Sequence, residues 1–450
     1  MRERAIAEYH ERLARDVDLT PEFFAGLKAK MHARGLAYGE RAIGVALRPH
    51  MLDAAQYEKL ARASQLLAGA FETLTGAAIA DPSLLEQFGL TDRERTMALV
   101  EPGFRSVGVT TRLDAFIHGD ELKFVEYNAE NPSSLPDQDG LNQILFDVQA
   151  MQSFAGRYRL RPLDTMRALL DALLSTYREW SGRSGDVPHV AIVDWDDLPT
   201  ATEFVLIRDY FALRGVPTII CAPDELEYSG GHLLCGDFPV DLVYKRVIIH
   251  ELLTRYDETH PLCRAYAERA VCLVNPFRCK LMHKKAAFEL LTAKAHAHLF
   301  TAPEHACIRA CVPWTRRVSE RRTDYRGEPC DLLELIRRRR ARFVLKPNDD
   351  YGGLGISLGH LATAGEWDDA LKAALAADYV VQERVELHRE EFPVFDQDGW
   401  SLQAMYVDTN PFLFNGKAEG ALVRLSGSPI VNVTSGGGET GFVVLDGATK

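Results

Sequence analysis

Phe343-Val344-Leu345-Lys346-Pro347-Asn348-Asp349-Asp350-Tyr351-Gly352-Gly353-Leu354-Gly355-Ile356 decides how this chain is read. An apolar strand ends in a lysine and a proline, passes through a glycine-rich turn and resumes as strand. A lysine fixed at a strand end offers a point positive charge to a phosphate. The glycines beyond it let bare backbone N–H groups close over a polyphosphate, because no Cβ blocks the approach. Further on, Asp378-Tyr379-Val380-Val381-Gln382-Glu383-Arg384-Val385 is another apolar strand, ending in amide and carboxylate groups that suit the edge of an adenine.

A second constellation lies far upstream. Thr111-Arg112-Leu113-Asp114-Ala115-Phe116-Ile117 alternates polar and apolar residues, His118-Gly119-Asp120 supplies a turn, and Leu122-Lys123-Phe124-Val125-Glu126-Tyr127-Asn128 resumes the strand. This pattern predicts a β-hairpin. Arg112 and Asp114 are two apart and share a face, as do Glu126 and Asn128. Hard oxygen ligands of this kind suit Mg²⁺ bridged to phosphates, and an arginine beside them can clamp a phosphoryl oxygen. The plainer reading is an exposed face on which Arg112 pairs with Asp114. Asn131-Pro132-Ser133-Ser134 follows at once, where Asn131, Ser133 and Ser134 could hold a substrate carboxylate or form an ordinary turn.

With 450 residues the chain can build two or three domains, and its formal net charge of −12 argues against a general nucleic-acid surface. A phosphate ligand must then be met by a local cationic cluster. The basic run 337–340 follows the helical stretch 331–336 and reads as a helix C-terminus facing solvent. No window approaches the roughly 18 apolar residues of a membrane span. Eight cysteines without a dense framework suggest reduced thiols in a cytoplasmic protein. Neither Cys307 with Cys311 nor Cys279 with His283 belongs to a zinc-type quartet.

Residues 1–110 read as helices, with start signals at Thr20-Pro21-Glu22 and Asp81-Pro82-Ser83 and an Ala- and Leu-rich packing surface between 51 and 80. Residues 111–180 hold the hairpin and further helices, and Ser181-Gly182-Arg183-Ser184-Gly185 reads as a linker. In 181–274 a strand (189–194), a helix (201–214) and two more strands (217–221 and 241–246) predict a small α/β unit with a parallel sheet. Residues 275–450 mix helices with the strands quoted first. Their tail, Ser435-Gly436-Gly437-Gly438-Glu439, is too rich in glycine to be expected as a core strand.

The order strand-lysine-proline, glycine loop and strand-glutamine-glutamate resembles the nucleotide cleft of ATP-grasp proteins. In most of them the Asp-bearing and Glu-x-Asn strands follow the glycine loop, whereas here they precede it. The chain is therefore similar to a circularly permuted ATP-grasp protein. Glu126-Tyr127-Asn128-Ala129-Glu130-Asn131-Pro132-Ser133-Ser134 resembles the glutathionylspermidine synthase group, whose members carry a similar Glu-Tyr-Asn-Ala segment after an Arg-x-Asp strand. The resemblance runs from about Arg112 onward; the first hundred residues match less clearly, and no amidase domain is visible. It implies a permuted ATP-grasp fold of the α/β (α+β) class, with an inserted pre-ATP-grasp-like parallel α/β domain (181–274) and N-terminal helices.

The resemblance also implies roles. Lys346 would meet the α- and β-phosphates, and Tyr351, Gly352, Gly353 and Gly355 would form the closing loop. Gln382, Glu383 and Val385 would face the adenine, and Glu391 or Glu390 the ribose. Residues 279–291 read as one helix carrying a nucleotide lysine, better placed at Lys285 than at Lys284 because of Phe288. Asp114, Glu126 and Asn128 would hold Mg²⁺, as two ions. Arg112, and Arg424 in the strand 420–425, would meet the transferred phosphoryl group, with Asn432 and the 435–438 loop adding N–H donors.

The activity so implied is an ATP-dependent carboxylate–amine ligase that forms an amide through an acyl phosphate and releases ADP and phosphate. Its partners are a small carboxylate and an amine (peptide, amino acid or polyamine), with no nucleic acid or membrane; a homodimer is compatible with it. Two alternatives use the same cleft: an ATP-grasp phosphotransferase and an inactive ATP-binding regulator.

Overall fold

Alternating side chains in 111–128 do make a hairpin. Strands Thr110–His118 and Glu121–Asn128 pair antiparallel, with Arg112 opposite Asn128 and Asp114 opposite Glu126. The structure is a computed structural model that describes the chain apart from residues 197, 200, 351, 397, 398, 430, 432, 434, 435 and 450. Arg112 also pairs with Phe412 of the long strand Trp400–Phe414. The early hairpin thereby completes a six-stranded antiparallel sheet whose other members are all C-terminal: Arg389–Phe395, Trp400–Phe414, Lys417–Ser426 and Gly438–Thr440. Its apolar face packs on the helix Ala54–Ala80, which starts at an Asp53–Gln56 capping box and buries Leu60, Leu67, Phe71 and Leu74. Phe71 lies 4.6 Å from the Tyr127 ring and 5.3 Å from Phe288, so this helix backs both the hairpin and the lysine segment.

A four-stranded antiparallel sheet carries the lysine and glycine motif, in the order Thr315–Arg317, Tyr379–Glu383, Phe343–Pro347, Ser357–Leu358. Helices Leu332–Arg338 and Ala364–Ala376 cover it through Leu332, Ile336, Trp367 and Leu371. Arg337 and Arg338 fall in the last turn of the first helix, exposed as the charge pattern requires.

The third sheet is parallel throughout, ordered Cys272–Val274, Leu242–Lys245, Val190–Val193, Thr218–Cys221. Its strands are near-continuous apolar runs, as a sheet covered on both faces requires. Asn275, at the end of its last strand, is fully buried and clamps the sheet to the hairpin. Its amide donates to the carbonyls of Thr110 (2.7 Å) and Ala129 (2.8 Å), and its oxygen accepts from the Thr110 N–H (3.0 Å).

Four sequence expectations are corrected. The first hundred residues are not helical throughout: His50–Asp53 is a strand running parallel to Phe442–Ala448, a short apolar run whose pairing partner is distant. Tyr158–Pro162 likewise forms a strand within a stretch expected to be helical. Residues 279–291 form two helices, Lys280–His283 and Ala286–Thr292, because Asn348 intercepts the backbone between them. The N–H of Lys285 donates to the Asn348 carbonyl (2.9 Å), and that of Ala286 to its side-chain oxygen (2.7 Å).

The glycine-rich tail also departs from its reading, since Gly438–Thr440 is a buried strand. Glycine is there for close approach: a Cβ on Gly438 would lie 2.2 Å from Val45 Cγ1. Asn432 and Ser435 lie outside the described residues. Among those residues, no helix is long and apolar enough to cross a membrane, and all eight cysteines are free thiols.

Candidate functional site

The two antiparallel sheets and the parallel one face a common cleft of about 850 Å³. Its lining includes Arg112, Asp114, Glu126 and Asn128 from the hairpin, Lys346, Gly352, Gly353, Gln382, Glu383 and Val385 from the lysine–glycine sheet, and Arg424 from Lys417–Ser426. Residues far apart in sequence thus share one wall.

The hairpin face is a dense ionic lattice. Asp114 Oδ1 accepts from Arg112 Nε and from Asn128 Nδ2, both at 3.0 Å, and Asp114 Oδ2 accepts from Arg424 Nη2 at 2.7 Å. Arg424 also reaches Asp408 at 2.6 Å, and Asp408 in turn accepts from Asn410 Nδ2 at 2.8 Å. Burial alone would raise the Asp114 carboxyl, but Arg424 and Arg112 bring it down to about 2. Asp408 keeps a raised value, because burial outweighs its pairing with Arg424. Arg112 does pair with Asp114, as its plainer reading had it, but on a buried face rather than an exposed one.

The lysines meet this lattice directly. Lys285 Nζ is 3.1 Å from Glu126 Oε1 and donates to the Asp350 carbonyl at 2.8 Å. Lys284 turns away, to Asp349 (2.7 Å) and Glu94 (3.2 Å). Lys346 Nζ donates to the Val125 carbonyl (3.2 Å), which is on the hairpin itself, and to Gln382 Oε1 (2.8 Å). Burial lowers Lys346 to about 8, against the raising pull of Glu126. Burial would raise Glu126; Lys285 above all holds it low.

Gly352, Gly353 and Gly355 have φ values of +67°, +80° and +69°. Gly355 must be glycine, since a Cβ there would lie 2.7 Å from Pro347 Cγ. The exposed Leu354 rides on this turn and lines the cleft. Tyr351 lies outside the described residues.

Side-chain engagement revises the base-recognition edge. Gln382 uses its oxygen on Lys346 and its amide on Thr315 Oγ1 (3.2 Å), while Glu383 accepts from the Tyr325 hydroxyl (2.8 Å) and Arg326 (2.7 Å). The polar atoms of both side chains are thus engaged within the protein even though both residues border the cleft. The apolar side chains on this edge of the cleft are Val344, Ile356, Leu358 and Val385, with Glu386 and Leu387 beyond. Neither Glu390 nor Glu391 lines it: Glu390 pairs with Arg2 and Arg48 (2.6 Å to Arg48), and Glu391 is exposed. Asn131 donates to the Arg246 carbonyl and Ser134 to Glu439 (3.0 Å), so their polar groups serve the protein rather than standing open for a carboxylate.

Several cleft residues escaped the sequence reading. Asp408 and Asn410 repeat the alternating acidic–amide pattern of Glu126 and Asn128, a signal available in principle. Asp137, Glu203, Arg246 and Glu439 gave none, because only the fold brings them to the lining.

Beneath the cleft, Lys280 is fully buried and lies 2.7 Å from both Glu130 and Asp349. Glu130, His283 and Asp349 have the spacing of a metal site. The Lys280 ammonium already satisfies two of these carboxylates, which makes the group an ion-pair cluster anchoring the root of the glycine loop. For Mg²⁺ the better-placed donor set is the hairpin's: its two carboxylates are ion-paired too, but with the amide oxygen of Asn128 they line the cleft, as Glu130 and Asp349 do not.

No protein-family model matches the sequence, and no curated protein matches it. Among solved structures, the glutathione synthetase-like effector GSS30 of Globodera pallida, in its apo form, superposes with a TM-score of 0.62 at 12% identity, covering 96% of this chain and 98% of that one. A putative gamma-glutamylcysteine synthetase from Methylobacillus flagellatus KT aligns with a TM-score of 0.43 at 11% identity, covering 86% of each chain. The first match gives the fold alone: a mixed α/β architecture like that of the glutathione synthetase-like effector.

Proposed function

We propose that this protein is an ATP-dependent carboxylate–amine ligase. The observation that carries the reading is the contact of Lys346 and Lys285 with the backbone and carboxylate of the metal-type hairpin, at Val125 and Glu126. A triphosphate laid between them replaces those internal partners, and its charge keeps Lys346 fully protonated. Phosphoryl transfer spreads negative charge over equatorial oxygens, so catalysis is chiefly positioning and charge stabilisation.

Lys346 and Lys285 bind the phosphates, and the Gly352–Gly353 turn closes over them and excludes water. Asp114, Glu126 and Asn128 would hold Mg²⁺, which neutralises the polyphosphate when bound. A substrate carboxylate attacks the γ-phosphate beside Arg112 and Arg424, giving an acyl phosphate and ADP. An amine then forms the C–N bond as phosphate leaves. Arg424 is braced by Asp114 and Asp408 and so needs little reorganisation as charge develops. The adenine would lie against Val344, Ile356, Leu358 and Val385, recognised by the backbone of the 383–385 edge.

The test is incubation of the protein with ATP, Mg²⁺, hydroxylamine and a panel of amino acids and short peptides. ADP together with a hydroxamate supports the ligase. A stable phosphorylated product without hydroxamate supports the phosphotransferase alternative, and nucleotide binding without ADP across the panel supports the inactive regulator.

A further inference from the structure

Beyond Arg112 the wall of the cleft changes sign. Asp137 stands in the first turn of helix Leu135–Phe146, Glu203 in the first turn of Ala201–Ala212, and Glu439 on the strand Gly438–Thr440. Ser134 joins them, its hydroxyl donating to Glu439 Oε1 (3.0 Å) and its N–H to Glu203 Oε2 (3.2 Å). Glu203 and Glu439 are 6% and 2% exposed. Despite that burial, Glu439 Oε2 has no hydrogen-bond partner among the described residues. Glu203 Oε1 accepts no hydrogen bond either, although the Arg246 guanidinium forms an ion pair with it at 3.5 Å. A buried carboxylate oxygen left without a donor is costly, and Glu439 and Glu203 both line a cavity.

Glu439 also pairs in register with Arg424 across the sheet, which sets this corner beside the arginine assigned to the phosphoryl group. We infer that Glu439, Glu203 and Asp137 form an ammonium subsite that receives a protonated primary amine next to Arg424. Burial, with Glu203 nearby, pushes Asp137 up to about 7, and burial, with Asp137 nearby, raises Glu439. A cation is what relieves that repulsion. Arg112 and Arg424 face the same corner and pull Glu439 the other way, yet both guanidiniums are already committed to Asp114.

The subsite rests on the ligase reading only in taking this amine, once its ammonium has passed a proton to one of these carboxylates, to be the nucleophile; its affinity for ammonium does not. The whole protein is titrated calorimetrically near neutral pH with butylamine, with diaminobutane and with butanol as the neutral isostere. The same titrations follow on Glu439→Gln and Glu203→Gln, each first shown to melt cooperatively. The amines should bind the wild type and lose about tenfold or more in affinity in both variants, with butanol not binding. Amines that bind the variants as well as the wild type, or do not bind at all, or bind no better than butanol, overturn the subsite. Mg·AMP-PNP binding to the wild type is measured separately. Its failure would sink the ligase reading while leaving the amine result standing.

Discussion

Lys346 is buried and holds a hairpin carbonyl and Gln382, and on the proposed function it exchanges these for a phosphate. Replacing it with methionine preserves bulk and removes the charge, so Mg·AMP-PNP affinity measured by calorimetry should fall by about 10–100-fold. Glu126→Gln should spare most of that affinity yet cut ADP release by about a hundredfold or more, because it removes a charged donor for the metal. Lys280 has a different role. Glu130 and Asp349 depend on it, and Lys280→Met should cost about 3–5 kcal/mol in denaturant unfolding by leaving buried carboxylates unpaired. Burial would raise Glu130, but Lys280 above all depresses it, to about 2. A depressed carboxylate stabilises the fold above its unfolded value and loses that contribution as pH falls toward its folded one. Wild-type stability should therefore decline between about pH 4.5 and pH 2, and the decline should be shallower in Glu130→Gln.

At the scale of elements, the hairpin, the lysine–glycine strands and the parallel sheet were legible, because each announces itself by local period and turn residues. The Gly438–Thr440 strand was not, since its one glycine, Gly438, answers to Val45, a distant neighbour. Gly438→Ala should destabilise by about 1–3 kcal/mol through overpacking, and adding Val45→Ala should restore part of the loss, as read by thermal and chemical denaturation. The break between Lys280–His283 and Ala286–Thr292 was hidden for the same reason. Asn348 sets it from the far side of the glycine loop, while its amide donates to the Phe88 carbonyl (2.9 Å) and to Asp378 (2.6 Å). Asn348→Ala should therefore loosen the lysine and the loop together, seen as faster amide exchange across 284–287 and 349–355.

For the whole molecule, chain order and spatial order part company. Arg424 and Asp114 are 310 residues apart yet hydrogen-bonded at 2.7 Å, because the early hairpin fills the place in the sheet that the late strands leave open. Motif order alone pointed to this joining of early and late strands. It could not reveal Glu439 or Arg246, whose place in the cleft is set by long-range pairing and by the packing of the parallel sheet. Glu390 went wrong in the complementary way: its carboxylate serves Arg48 and Arg2, binding the N-terminal helix to the C-terminal sheet. On the proposed function, hairpin carboxylates and the lysine–glycine segment grip one nucleotide. A crystal structure with Mg·AMP-PNP should then show phosphates between Lys346, Lys285 and Arg424. It should also show a metal ion about 2.1 Å from oxygens of Asp114, Glu126 or Asn128. A triphosphate bound outside this cleft, or one touching the lysines with its metal away from the hairpin, would contradict that function.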